Sequence, residues 1–316
     1  MVRRSIETRR LRGKHGLCDI QGAGSRPAGR ATLRAMSILS IQSWVAYGRV
    51  GNRAAVFPLE RLGHEVWPVN TVNFSNHPAY GSYRGGVYQP SDVAEVIDEI
   101  AARGAFSRCR AVLSGYLGAA GTGQVVLSAV DRIRAVDERV IFALDPVMGD
   151  ETSGVYVDKA LPDFFQNRAL AKADILLPNA FELGLLTGLK IHDVDGAASA
   201  ATLLLRRGPE MVVVTGLRHG NEVSALLVTG GQAWQATTPW VDVPSWGAGD
   251  LFSALFLGNF LNSADPEWAL SRAMASTYAV LRETQRRGAD ALALPAAQAE
   301  IARPSEVIPA LPIWAV

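Results

Sequence analysis

From residue 36 onward, short apolar runs that fit strands alternate with stretches whose apolar residues recur every three or four positions. Ile38–Ile41 and Glu65–Val72 read as strands, separated by a helix over Asn52–Leu62 that Gly63 closes. Ser91 is the expected N-cap of the next helix. Asp92 favours its dipole, and Val93, Val96, Ile97 and Ile100 form its apolar stripe before Gly104. Strands then follow at Arg110–Leu113, Val140–Leu144, Ile175–Leu177 and Met211–Val214, with helices over Gln124–Val136 and Gly196–Arg207. Glu222–Val228 and Gln232–Thr237 flank Gly230-Gly231 and predict an antiparallel pair. Two long helices, from about Gly249 and about Pro266, close the chain.

Strands alternating with helices predict an α/β fold, with a central, mostly parallel sheet flanked by helices on both faces. No repeat or linker interrupts the pattern, so residues 36–316 are expected to form a single domain. In such sheets ligands bind beyond the carboxyl ends of the strands. Those ends carry Gln42-Ser43, Ser114-Gly115-Tyr116, Asp145-Pro146, Pro178-Asn179 with Glu182, Thr215-Gly216 and the loop from Gly247 to Asp250. Each alone reads as a turn or a cap, but six along one edge predict a site.

Composition adds little until it is divided along the chain. The 316 residues are 48% hydrophobic and 19% charged, enough for a sizeable core. The net charge of +1 conceals nine basic against two acidic residues in 1–35, leaving 22 against 28 elsewhere. Residues 1–35 are therefore expected to be a basic, disordered arm, one origin being an upstream start codon. Gly22-Ala23-Gly24 is no dinucleotide fingerprint, because Pro27 takes the third glycine position. Cys18 and Cys109 form no disulfide framework or metal spacing, which predicts a reduced, cytoplasmic protein. No apolar run approaches a membrane span, so no membrane partner is expected. Nucleic-acid binding through the arm is a separate reading, which salt-sensitive affinity would reveal.

The sharpest chemistry lies at Trp246-Gly247-Ala248-Gly249-Asp250, which opens into the run Leu251–Leu257. A small-residue loop entering a helix offers backbone amides to an anion. An aspartate there repels phosphate but can take a proton from a neighbouring hydroxyl. On its own the motif is more often a turn with a capping aspartate. Asp145 and Glu182 supply oxygens suited to Mg²⁺, and Asn179, three residues before Glu182, shares its helix face. No P-loop or protein-kinase motif set is present.

Gly247-Ala248-Gly249-Asp250 resembles the Gly-x-Gly-Asp motif of ribokinase-like kinases, and Asn179-Ala180-Phe181-Glu182 their Asn-x-x-Glu magnesium motif. Further stretches resemble the pyridoxal kinases of that superfamily: Ser40–Ser43, Gly48–Asn52, Val72–His77, Ser114–Tyr116 and Asp145–Asp150. The resemblance spans the chain from about Ser37 to the final helices. It implies ATP-dependent phosphorylation of the 5′-hydroxymethyl group of pyridoxal, and less well of pyridoxine and pyridoxamine, by a homodimer. It implies that Asp250 is the base and that the amides of Gly247, Ala248 and Gly249 hold the transferring phosphoryl. Ser43, Phe74, His77, Pro78 and Tyr116 would line the vitamin pocket. Asp145, Asp150, Leu177, Asn179, Glu182, Thr215, Thr238, Pro239, Trp240 and Val241 would face ATP, with Asp145 and Glu182 toward Mg²⁺; a monovalent cation is a further candidate.

Trp44, Pro78, Leu177 and Trp246 depart from the family pattern, which more often has histidine, threonine, a small or hydroxylic residue, and a small apolar residue there. A hydroxymethylpyrimidine kinase is the alternative within the superfamily, with a sugar kinase behind it. A non-catalytic carrier of B6 vitamers is an alternative of another class, though a carrier has no need of Asp250 or of the Asn179–Glu182 pair.

Overall fold

The computed structural model describes residues 37–315. The expected basic arm lies outside the described residues. In chain order the strands and helices are β1 (Ser37–Tyr47), α1 (Asn52–Arg61), β2 (Glu65–Asn76), β3 (Gly85–Val87), α2 (Pro90–Ala102), β4 (Cys109–Ser114), α3 (Ala120–Arg134), β5 (Ile141–Leu144), β6 (Gly149–Asp150), β7 (Gly154–Val155) and α4 (Ala160–Phe164). They continue as β8 (Ile175–Leu176), α5 (Ala180–Thr187), α6 (Val194–Leu205), β9 (Met211–His219), β10 (Glu222–Thr229), β11 (Gln232–Pro239), α7 (Ala248–Ser263), α8 (Pro266–Arg287), α9 (Gln298–Ala302) and β12 (Leu311–Ala315).

Ten strands form one sheet in the order β12-β11-β10-β9-β8-β5-β4-β1-β2-β3. The six from β9 to β2 run parallel; β10, β11 and β12 extend one side antiparallel in turn, and β3 pairs antiparallel with β2. Period-two alternation assigns each strand residue to a face, and both faces are buried. Leu39, Val112, Phe142, Leu176 and Val212 join α2, α3, α5 and α6 in one core. Ile38, Ala111, Ala143, Ile175 and Val213 join α1, α7, α8 and α9 in the other. This is the layered α/β architecture that the sequence pattern predicts.

Boundaries shift where local chemistry outweighs pattern. Ser91 is not the cap of α2: Pro90 takes the first turn, where its missing N–H costs nothing, and the Gln89 amide donates to Asp92 Oδ2 (3.2 Å). α6 starts earlier than expected because Asp193 Oδ1 accepts from the Gly196 amide (2.7 Å). β1 and β2 run past their apolar cores, and a register shift between Gln42 and Trp44 leaves Ser43 at an irregularity of the ladder.

Candidate active site

The parallel strands end along one edge of the sheet, and the expected residues fall there in sheet order. Thr215 lies on β9, Asn179 and Glu182 follow β8, Asp145 follows β5, Ser114 to Tyr116 follow β4, Ser43 is on β1, and Phe74 and His77 are on and just beyond β2. α7 meets this edge at its N-terminus, bringing in Asp250.

The Gly loop owes its shape to contact with the turn after β1. Gly247 has φ +85°, and a Cβ there would meet the Arg49 carbonyl oxygen at 1.9 Å. Gly51 has φ +54°, and a Cβ there would strike Ser43 at 2.3 Å. Both positions require glycine. The Gly51 amide, at the cap of α1, donates to Asp250 Oδ2 (2.8 Å), so the first turns of α1 and α7 share one carboxylate. Leu251 closes the first helical bond of α7 on the Gly247 carbonyl (2.9 Å). The Ala248 amide turns back to the Ser245 carbonyl (2.9 Å), which leaves the amides of Gly249 and Asp250 to receive an anion. Gly249 is exposed with nothing packed over it.

Desolvation pushes Asp250 up to about 6, and the bond from Gly51 restrains the rise. Asp145, 6% exposed, is raised well above the carboxylate range by burial, then by Glu182 and Asp250; the Ser253 hydroxyl donates to its Oδ2 (2.8 Å) and opposes this. Glu182 is pushed up to about 7 by burial against its backbone hydrogen bonds. Its Oε1 accepts from the Met148 amide and its Oε2 from the Asn179 amide (both 2.9 Å). Asn179 returns the bond, its Oδ1 accepting from the Glu182 amide (2.8 Å) while its Nδ2 donates to the Gly149 carbonyl (2.8 Å). Glu182 and Asn179 therefore cap α5 and clamp the 148–149 loop together. Asp150 Oδ1 accepts from the amides of Thr152 and Ser153 (2.9 and 2.7 Å) and shapes the β6–β7 hairpin. Buried negative charge with few compensating donors suits a divalent cation that keeps most of its waters. Asp145, with one oxygen outside the Ser253 bond, fits direct ligation better than Glu182, whose two oxygens already serve backbone amides.

The rest of the nucleotide-side set lines the same end. The Leu177 amide bonds the Leu144 carbonyl (2.9 Å), and Thr215 bridges Asn179 as a short parallel continuation of the sheet. Thr238 and Val241 are buried, Pro239 is exposed, and Trp240 lies beneath the Arg218 guanidinium, 4.3 Å from its ring centre.

The other half of the edge is aromatic. Phe74 meets Tyr83 with ring centres 4.8 Å apart. His77 stacks on Trp246 at 5.7 Å, and Tyr80 packs on Trp246 at 5.1 Å. The Tyr80 hydroxyl donates to the Asp290 carbonyl (2.5 Å) and the Tyr47 hydroxyl to Asp290 Oδ2 (2.6 Å). Burial lowers the basicity of His77 against the opposing pull of Asp150, and its Nδ1 accepts from the Ala79 amide (3.3 Å), so Nε2 carries the proton. Pro78 opens this short turn and is exposed. Tyr116 is half-buried, its phenol raised by burial and then by Tyr83, and its carbonyl accepts from the Thr71 hydroxyl (2.7 Å). Ser43 is buried, and Trp44 lies beneath Arg53 at 5.3 Å.

Sequence reasoning missed Tyr156. Its amide donates to the Met148 carbonyl (3.1 Å), and its phenol is raised by desolvation and then by Glu182, Asp150, Asp250 and Asp145. Tyr156 is 49% exposed, and the turn-rich run Asp150-Glu151-Thr152-Ser153-Gly154 was the available signal for the hairpin that precedes it. Tyr80, Tyr83 and Asp290 were also missed.

The family described as phosphomethylpyrimidine kinase matches residues 87–294. The protein named pyridoxal kinase PdxY from Rubrobacter xylanophilus is 48% identical over 274 residues, covering 85% of this chain and 94% of that protein. That of Deinococcus radiodurans is 45% identical, covering 87% and 95%. Among solved structures, pyridoxal kinase from Leishmania donovani in complex with ADP and pyridoxine superposes with a TM-score of 0.83 at 27% identity, covering 88% of this chain and 99% of that one. A family match over more than half of the chain, and relatives alike along nearly their whole length, make this chain a member of the phosphomethylpyrimidine kinase family and, within it, of the pyridoxal kinases.

Proposed function

We propose that the chain transfers the γ-phosphoryl group of ATP to the 5′-hydroxymethyl oxygen of pyridoxal, and less efficiently of pyridoxine and pyridoxamine, giving the 5′-phosphates. The observation that carries this reading is the carboxylate of Asp250 in the first turn of α7, beside the free amides of Gly249 and Asp250. With its acidity near 6, Asp250 is ionised at neutral pH yet more basic than an ordinary aspartate. Its Oδ2 is steadied by Gly51, and its other oxygen takes the hydroxyl proton as the phosphoryl group arrives. The two amides and the dipole of α7 face the charge that develops on that group.

The names of the relatives, and the ADP, pyridoxine and pyridoxamine bound by the Leishmania donovani enzyme, support the substrate assignment. Asp145 and Glu182 are the residues that would hold Mg²⁺, which would supply charge neutralisation on the phosphates. Leu177, Asn179, Thr215 and the 238–241 segment would border the nucleotide, with Asp150 near enough to His77 to raise its basicity. Ser43 and the Nε2 proton of His77 orient the vitamin ring against Phe74, Tyr116 and Trp246. Residues 36–316 act as one domain, the active species is a cytoplasmic homodimer, and a monovalent cation is a further candidate at the nucleotide site. Among the described residues no helix is long and apolar enough to cross a membrane.

A hydroxymethylpyrimidine kinase is the second reading, favoured by the description of the matching family. Pyridoxal 5′-phosphate formation from pyridoxal and Mg·ATP, run beside hydroxymethylpyrimidine and with Asp250→Asn as control, separates the two. Asp250-dependent turnover on pyridoxal is expected. Turnover on the pyrimidine alone would move the substrate, and tight vitamer binding without ADP release would leave a carrier.

A further inference from the structure

α1 and α7 run side by side from the catalytic edge to the opposite end of the molecule. Their N-terminal ends are joined by the Gly51 amide on Asp250, and their C-terminal ends by Asn262 Nδ2 on the Leu62 carbonyl (3.2 Å). Before that end they are also in close contact, since a Cβ on Gly258 would meet Leu59 of α1 at 3.1 Å. At the far end lies a cavity of about 570 Å³, bordered by Arg61 of α1 and Leu62 just after it, Asn259 and Asn262 of α7, Trp268 and Arg272 of α8, and Arg303 just beyond α9. Asn259 is nine residues along α7 from Asp250, or about 14 Å at ~1.5 Å per residue, so the cavity is separate from the catalytic edge.

No acidic residue borders the cavity, and none of its three arginines enters an ion pair among the described residues. Arg272 is fixed by the Ala302 carbonyl (3.1 Å) and by the Trp268 ring (5.5 Å), while its Nε is buried without a partner. The neighbouring acid Glu300 is turned away, its Oε2 accepting from the Ser305 amide and hydroxyl (2.7 and 3.0 Å). Burial and then the charge of Arg303 weaken the basicity of Arg272. Positive charge is thus gathered without a carboxylate partner, half-buried at Arg272 and exposed at Arg61 and Arg303, beside the exposed Trp268 ring. Guanidinium groups so arranged match the oxygens of a phosphate.

We propose that this cavity binds a phosphate-bearing small molecule, and that α1 and α7 report its occupancy to Asp250. The helices are joined at both ends, and each brings one end toward the cavity and one toward the catalytic centre. The sources sharing this chemistry are free phosphate and the phosphorylated product, whose ring could lie on Trp268.

The test is calorimetric titration of the full chain, its nucleotide site saturated with an ATP analogue, using inorganic phosphate and pyridoxal 5′-phosphate as separate probes. Arg272 is half-buried and its replacement endangers the fold, so the variant is the double substitution Arg61→Gln with Arg303→Gln. Binding of at least one probe is expected, weakened about tenfold or more in the variant. Basal kcat without added phosphate should be unchanged, while its response to the probe is lost. Tighter binding of pyridoxal 5′-phosphate identifies the product as the source, and equal binding identifies free phosphate. Absence of binding at about 10 mM of either probe would overturn the proposal, leaving arginines that cap helix ends. So would equal binding by the variant, an unaltered kcat response, or concentration-dependent protection of the cavity showing that a second copy covers it.

Discussion

The two ends of the catalytic edge are built on opposite principles. At the β5–β8–β9 end the side chains are buried polar groups held by backbone: Glu182 accepts from two amides, Asn179 spans to Gly149, and Asp145 is sealed under Ser253. At the β1–β2–β4 end the groups are rings, several of them exposed, that touch one another through edges and faces: Tyr47, Tyr80, His77 and Trp246. A nucleotide presents the same phosphates each time, so its site can be rigid. A flat heterocycle needs a surface that closes on it, and ring contacts of about 1 kcal/mol each can re-form. Asp250 stands where the two ends meet, joined to the turn after β1 through Gly51 and electrostatically to Asp145 and Glu182.

The largest expected effect falls on that junction. Asp250→Asn should lower kcat by ~10²–10⁴, the range of a lost general base. ATP affinity should hold, since asparagine can still accept from Gly51 and no longer repels phosphate. Steady-state kinetics with a direct nucleotide-binding measurement checks this, and near-normal turnover would remove Asp250 from the chemistry. At the rigid end, Glu182→Ala leaves the Met148 and Asn179 amides without partners, at about 1–3 kcal/mol each, partly offset by relief of repulsion on Asp145. A fall in Tm of ~4 °C or more by calorimetry is expected, with loss of activity. An unchanged Tm would mean that the clamp does not hold this loop.

How much of this was legible in advance divides along the same line. Short apolar runs alternating with helical patterns disclosed the sheet, and the runs are continuous because both faces are buried: Leu39 and Ile38, or Val212 and Val213, serve different cores. The polar residues at strand ends disclosed the edge, because a parallel α/β sheet has one place for them. The nucleotide end was readable since its chemistry lies in contiguous motifs, such as Asn179 with Glu182. At the aromatic end Phe74, His77 and Tyr116 were named through the resemblance, but their contacts were hidden, because these join residues remote in sequence: Tyr47 reaches Asp290, and Trp246 reaches His77. Tyr156 escaped for the same reason, its role set by a two-residue hairpin too short to register as a pattern. Backbone detail was hidden as well: nothing in Gly247-Ala248-Gly249 foretells that the Ala248 amide is taken by Ser245.

The charge at the rigid end gives a pH prediction with a definite sign. A carboxyl whose acidity is weakened in the folded state contributes stability below its unfolded value and loses it as pH rises through the folded one. For Glu182 that window runs from 4.5 to about 7, and for Asp250 from 3.8 to about 6. The protein without metal should therefore lose stability from these groups between about pH 4 and 7, on the order of a few kcal/mol. Mg²⁺ added without nucleotide should raise Tm more at pH 8 than at pH 5.5. A shift independent of pH would place the ion elsewhere. In kinetics, kcat/KM for the vitamer should fall as pH drops through about 6, where Asp250 takes up its proton.

The smallest expected effect tests the soft end alone. Trp246 departs from the small apolar residue usual before the Gly loop, and it serves as the ring that joins His77 to Tyr80. It is 39% exposed, so its removal leaves no sealed cavity and little change in Tm. What Trp246→Ala should remove is the resistance of the aromatic surface to opening, about 1 kcal/mol of ring contact. KM for pyridoxal should then rise roughly fivefold, with kcat and the KM for ATP nearly unchanged. A matching loss in ATP binding would mean that Trp246 shapes the Gly loop itself, and the division between a rigid and a yielding end would fail at the residue that borders both. Trp246→Phe separates the two outcomes further, since a smaller ring can still stack on His77 and should restore most of the vitamer affinity.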